Sequence, residues 1–199
     1  MLNNLENKIK NAINESIDVK KSLLETCSRQ IEQIGIKLSE IIKNGGKIMF
    51  CGNGGSAADS QHLAAELVIR LRSKYNRASI AGLALTVDSS ILTACGNDYG
   101  FDDIFSRQVE GMGRNGDALI GITTSGKSEN IFRAINQAKK QNIYTIGLLG
   151  CDGGKIKEIC DNSVIVPSQV TARIQESHIL IGHIWCEMIE EAMFPELFI

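Results

Sequence analysis

The amino-acid sequence predicts an α/β fold: a three-layer sandwich built on a five-stranded parallel sheet, with a helical extension at the N-terminus. Three observations carry that reading. From residue 46 onward, short apolar runs alternate with polar stretches of helical pattern. The first 44 residues, by contrast, follow a helical period from end to end. The chain has only 2 prolines, Pro167 and Pro195, and both sit at element boundaries.

Taken in order, residues 2–44 place Leu2, Leu5, Ile9, Ala12 and Ile13, then Leu23, Cys27, Ile31, Ile34, Leu38 and Ile41, at helical spacing. They read as one or two amphipathic helices, with Gly35 as the point of a break and Asn44-Gly45-Gly46 as the stop. An extension of this length needs a partner for its apolar stripe, so a helix-packed oligomer is expected. The strands follow as KIMFC, IAGLALT, DALIGIT, IYTIGLLG and NSVIVP. Runs of this kind joined by helices imply right-handed crossovers and a sheet buried on both faces. Residues 172–193 read as a long final helix carrying Ile174, His178, Ile181, Trp185 and Ile189 on one side. Within that helix His178 reads as a packing or interface residue, and Glu176, Glu187, Glu190 and Glu191 as a solvated face. No repeat, low-complexity tract or linker divides the chain, so 1–199 is expected to be one domain, with 1–44 helical and 45–199 the α/β core.

Composition excludes several classes of function. With 199 residues, 43% hydrophobic and 22% charged, the chain has the balance of an ordinary soluble globule. A formal net charge of -2 offers no footprint for nucleic acid or an anionic membrane. The 6 cysteines lack any C-x-x-C pair, which suggests reduced thiols. The opening MLNNLENKIK lacks the apolar core of a signal peptide, and ILIGHIWC is too short to span a bilayer. A cytoplasmic location is expected.

Two strand-to-helix turns are chemically unusual. The first, Gly52-Asn53-Gly54-Gly55-Ser56, brings glycine amides to a helix N-terminus, where an anion is favoured. It satisfies G-x-G-x-x-A through Ala57, yet Arg72 stands where a dinucleotide site wants an acidic residue. The second, Gly121 to Ser128, matches the Walker A pattern G-x-x-x-x-G-K-[ST]. It follows the third strand, its interior Ile-Thr-Thr-Ser is hydroxyl-rich, and no strand ending in a suitable aspartate follows; Asp152 lies past a glycine turn. The hydroxyls of Thr123, Thr124, Ser125 and Ser128 suit a phosphate monoester, whereas simple helix capping would need only one of them.

Acid–base candidates are few. His62 and Glu66 stand at i and i+4 and share a helix face; Gln175 and His183 stand two turns apart on another. By spacing alone, the first pair equally suits a surface contact, and His183 equally suits a core histidine.

Together GNGGS, H-x-x-x-E, GND at 96–98, FDDIFSRQVE at 101–110, TSGKS at 124–128 and ARIQE…H at 172–183 resemble the sugar isomerase (SIS) superfamily, and within it the isomerases of phosphorylated heptoses. The likeness runs from about residue 1 to 193. It implies a flavodoxin- or Rossmann-like sheet and reversible conversion of sedoheptulose 7-phosphate to D-glycero-D-manno-heptose 7-phosphate, the first step toward ADP-heptose for lipopolysaccharide core. It further implies that Asn53, Gly54, Gly55, Glu66, Asn97, Asp98, Thr123, Thr124, Ser125, Ser128 and Gln175 contact the sugar phosphate. By the same resemblance, His62, Glu66, Gln175 and His183 hold one zinc per subunit of a homotetramer whose active sites lie at subunit contacts, with Glu66 as base and His183 as its acid partner. Thr123 stands where relatives often have serine, Ala172 where some have aspartate, and Lys127 where asparagine is common. A non-catalytic SIS protein associated with the replication initiator DnaA is similar over most of its length. That branch lacks the acid–base pair, and this chain keeps both Glu66 and His183. An isomerase for a sugar phosphate of another length is the other alternative.

Overall fold

The computed structural model describes residues 2–198, with side chains from residue 4, so Leu2 of the expected apolar stripe lies outside the described side chains. The chain begins with one helix, α1 (Leu2–Lys43), followed by β1 (Ile48–Gly52), α2 (Gly55–Val68), β2 (Gly82–Ala84) and α3 (Ser89–Asp98). Then come α4 (Ser106–Met112), β3 (Ala118–Thr123), α5 (Glu129–Lys140), β4 (Tyr144–Leu149), β5 (Asn162–Ile165) and α6 (Thr171–Met193). Short 3-10 turns occupy Phe101–Asp103 and Pro195–Phe198.

All strand pairings are parallel, and the order is β2-β1-β3-β4-β5. The expected five-stranded parallel α/β sheet is therefore present, with each apolar run supplying one strand. Every residue of β1 and β3 is buried, as a sheet covered on both faces requires. The period of two along the strands sorts them into two cores. Ile48, Phe50, Ala118, Ile120 and Ile122 face α1, α2 and α6, while Met49, Cys51 and Leu119 face α3, α4 and α5.

The helical extension is a single rod of 42 residues, about 60 Å long. Gly35 does not break it. A Cβ there would collide with Met188 Sδ, so this glycine lets α6 approach closely. The indole N–H of Trp185 donates to the Ile31 carbonyl at 2.9 Å and fixes the same contact. The two halves of α1 differ sharply. Leu23, Cys27, Ile31, Ile34, Leu38 and Ile41 are buried against the core, whereas Leu5, Ile9, Ile13 and Ile17 are 57%, 61%, 54% and 44% exposed.

The order β2-β1-β3 places a reversal of winding direction between β1 and β3. From there α2 leads to one side and α5, on the opposite face, to the other. Ligands of open α/β sheets bind at such a point, outside the carboxyl ends of the strands.

Candidate active site

The turns after β1 and β3 become neighbours because their strands pair from Ile48↔Ala118 to Gly52↔Ile122. In the first turn, Gly54 adopts φ 56°, a left-handed conformation that lets α2 start at once. In the second, Ser128 occupies the cap position of α5 but makes no capping bond; its hydroxyl meets Thr123 Oγ1 at 3.0 Å. Ser125 Oγ accepts from the Lys127 amide at 3.2 Å. Gly121, the first glycine of the Walker-like match, lies inside β3, where a Cβ would meet Ile131 at 2.7 Å. It serves helix packing, so the nucleotide reading of that match loses its first glycine.

The two turns are tied together by side chains. Asn53 and Asn130 donate to each other through their amides, each bond 2.9 Å, and Asn130 is buried. Asn130 lies outside the residues picked from the sequence, although its place two residues after Ser128 at the head of α5 was a readable signal. A cavity of about 180 Å³ opens beside the first turn, lined by Asn53, Gly54, Thr86, Leu92 and Phe101 among others.

About two and three turns along α2 lie His62 and Glu66, and α6 supplies His183. His62 Nε2 is 2.9 Å from His183 Nε2 and 3.2 Å from Glu66 Oε1. The close approach of the helices makes this possible: a Cβ on Gly182 would meet Leu63 at 2.5 Å, so any larger residue would push His183 away from α2. A proton on either Nε2 can bridge the two imidazoles, the other Nε2 then accepting. One ligand atom from each of His62, Glu66 and His183 lies within 4.8 Å of the others, and two imidazoles with one carboxylate can hold a divalent metal. Cys186 lies one turn beyond His183; burial first, and then the Glu66 carboxylate, push its thiol up to about 12. It is a neutral wall of the site.

Gln175 stands apart from this group. Its amide lies against Gly55 at the head of α2, so closely that a Cβ on that glycine would collide with Gln175 Nε2. Eight residues of helix put Gln175 about 12 Å along the axis from His183. Within one chain His62, Glu66 and His183 therefore meet as a group of three, with Gln175 at the head of α2. The physical reason is that α2 and α6 run side by side in the same direction, so the start of one meets the start of the other. Asn97 and Asp98 end α3, both exposed, with Asn97 Nδ2 donating to Asp98 Oδ1 at 2.8 Å. Neither hydrogen-bonds to the other site candidates among the described residues.

Asp59, one turn before His62, was not singled out from the sequence. Its Oδ2 is buried without a hydrogen-bond partner, and burial raises its pKa while nearby His62 opposes the rise. Its i,i+3 spacing to His62 was the available signal. Glu190 is a correction of the opposite kind. It is 1% exposed and held by Arg72 and Arg77, where a solvated helix face was expected.

With this geometry in hand, the likeness to known proteins is specific. Residues 13–150 match the family model of the SIS domain. The chain is 61% identical over 153 residues to the phosphoheptose isomerase of a Nitratiruptor species, covering 77% of this chain and 81% of the relative. The chain belongs to the phosphoheptose isomerase family. To the phosphoheptose isomerase of Aneurinibacillus thermoaerophilus it is 50% identical over 193 residues, 96% of either chain. The structure of phosphoheptose isomerase GmhA from Neisseria gonorrhoeae superimposes with a TM-score of 0.88 at 43% identity, covering 94% of this chain and 99% of the other. Phosphoheptose isomerase relatives of this similarity make the chain a sugar-phosphate isomerase, an enzyme. Among the described residues no helix is long and apolar enough to cross a membrane.

Proposed function

We propose that the chain interconverts sedoheptulose 7-phosphate and D-glycero-D-manno-heptose 7-phosphate, supplying the first step toward ADP-heptose. The observation that carries this reading is the meeting of His62, Glu66 and His183 beside two hydroxyl- and glycine-lined turns. From Gly55 to His62 the helix advances about 10 Å. An extended seven-carbon chain holds its reacting C1 and C2 roughly 6 to 8 Å from C7. The phosphate therefore rests on Thr123, Thr124, Ser125, Ser128 and the amides after Asn53, and the carbonyl end reaches Glu66. Gln175, against Gly55, and Asn97 and Asp98 are assigned to the sugar's hydroxyls.

Moving a carbonyl between C1 and C2 needs a base that takes a proton from one carbon and returns it to the next, and a donor at the oxygens. Glu66 Oε1 faces His62, and its Oε2 makes no hydrogen bond among the described residues, so Oε2 carries the proton. His183 serves the developing enediolate oxygen as acid partner. The His62–Glu66–His183 donors suit zinc, which when bound would polarise the substrate carbonyl. The exposed stripe of Leu5, Ile9, Ile13 and Ile17, continued by Leu24 at 72% exposure, supports assembly into a homotetramer. Nothing in the charge balance favours a nucleic-acid partner, and a cytoplasmic setting follows from the same reading.

The test is incubation of purified, metal-analysed protein with sedoheptulose 7-phosphate while aldose formation is followed. Turnover is expected there, with fructose 6-phosphate and ATP as inactive controls; equal turnover of fructose 6-phosphate would assign a different sugar.

A further inference from the structure

The segment between α2 and β2 sends two arginines to a single buried carboxylate on α6. Arg77 Nε donates to Glu190 Oε1 at 2.7 Å, and their side chains are 1% and 2% exposed. The same guanidinium reaches back to the end of α2. Its Nη2 donates to the Glu66 carbonyl at 2.7 Å and its Nη1 to the Leu67 carbonyl at 2.9 Å, with a further bond to the Ala78 carbonyl. Those of Glu66 and Leu67 are carbonyls of the last helical turn, which a helix leaves without partners. Arg72 also binds Glu190, at 3.1 Å, but its other bonds go to Glu191 and the Glu187 carbonyl, and none reaches α2.

Glu190 stands two turns beyond His183 on α6, and Glu66 is the residue whose main chain Arg77 grips. One rigid fork thus joins the helix carrying Glu66 and His62 to the helix carrying His183. We propose that Arg77, held by Glu190, is a positioning residue that sets the distance between the Glu66 carboxylate and the His183 imidazole. The proposal rests on the isomerase reading of that site. Lysine cannot replace the fork, because it offers one point charge where the guanidinium grips carboxylate and carbonyls in a plane. A small rotation of the end of α2 moves the Glu66 side chain, and misplacement by about 1 Å can cost about 100-fold in rate.

The experiment compares Arg77→Lys with Arg72→Lys, which loses an ion pair to the same glutamate but no bond to α2. Steady-state kinetics with sedoheptulose 7-phosphate are read beside Co²⁺ affinity of the metal-stripped proteins, followed by the visible absorption of the bound ion. Arg77→Lys is expected to lower kcat at least about tenfold with KM within about twofold, and to weaken Co²⁺ binding by a comparable factor. Arg72→Lys should stay within about twofold on all three readouts even if its melting temperature falls. Glu190→Gln, which keeps the shape of the pair, should fall between them and serves should Arg77→Lys not fold. Wild-type kcat and Co²⁺ affinity in Arg77→Lys or in Glu190→Gln, or equal losses in Arg72→Lys, would overturn the clamp while leaving the isomerase reading intact. A wild-type protein that neither turns over the heptose nor binds Co²⁺ would overturn the site reading, and the clamp with it.

Discussion

Asn53 and Asn130, 77 residues apart, exchange a reciprocal pair of 2.9 Å hydrogen bonds across the point where the sheet reverses its winding. Each amide satisfies the other, and Asn130 Oδ1 also accepts from the Ile131 amide at 3.0 Å. The turn after β1 and the start of α5 are therefore held in one arrangement before any ligand arrives. Preorganisation of this kind reduces the cost of binding.

Substituting Asn130→Asp removes the donor and sets a carboxylate where a phosphate is to rest. KM for sedoheptulose 7-phosphate should rise by about tenfold or more, a loss of the size expected for a broken buried hydrogen bond. The kcat should change far less. Steady-state kinetics with the heptose phosphate check this; an unchanged KM would remove the link from the phosphate site.

Glu66→Gln keeps the size and most of the hydrogen bonding of the side chain but cannot accept a carbon-bound proton. Turnover should fall by about 1,000-fold or more while the circular dichroism spectrum and the assembly state stay as in the wild type. Near-normal activity would exclude Glu66 as the base.

Metal dependence follows from the donor set. Stripping with a chelator should lower activity, and added Zn²⁺ should restore it. His62→Ala should reduce bound zinc at least about tenfold by elemental analysis, because two ligands hold a divalent ion poorly. Gln175→Ala should raise KM, since its amide sits at Gly55.

His178 predicts an acid limit to stability. The ring is fully buried: its Nε2 meets the Leu149 carbonyl at 3.0 Å, and its Nδ1 is buried without a partner. Burial lowers its pKa from 6.5 to about 4, against the opposing effect of the Leu149 bond. Above the unfolded value both states are neutral and nothing is lost. As pH falls from about 6.5 to about 4 the unfolded chain takes up a proton that the folded chain refuses, so stability declines by about 3 kcal/mol. Urea unfolding across that range should show the decline in the wild type and a flatter profile in His178→Asn.

The apolar stripe on the first half of α1 predicts assembly. Ile9→Lys with Ile13→Lys places charge in that stripe, and light scattering should show a smaller particle than the wild type. Each chain should keep its helical content, because the core contacts of α1 begin near Leu23.

Much of this molecule was legible along the chain. Apolar runs of strand length marked all five strands, and helical spacing marked α1 and α6. The i,i+4 spacing put His62 and Glu66 on one face, and local turn chemistry flagged the glycine-rich and the hydroxyl-rich turn. These features are legible because they depend on neighbours within a turn or two of chain. Other features rest on contacts made only once the layers pack. The order β2-β1-β3 makes the two turns adjacent, the lack of a side chain at Gly182 brings His183 to His62, and Gly35 passes as a helix break until Met188 is seen against it. Glu190 looked solvated because its partners, Arg72 and Arg77, stand more than 110 residues earlier. Periodicity states which side of an element is buried but not against what. Which residues meet across the sheet, and hence the grouping of His62, Glu66 and His183 and the Arg77–Glu190 pairing, was decided by tertiary packing alone.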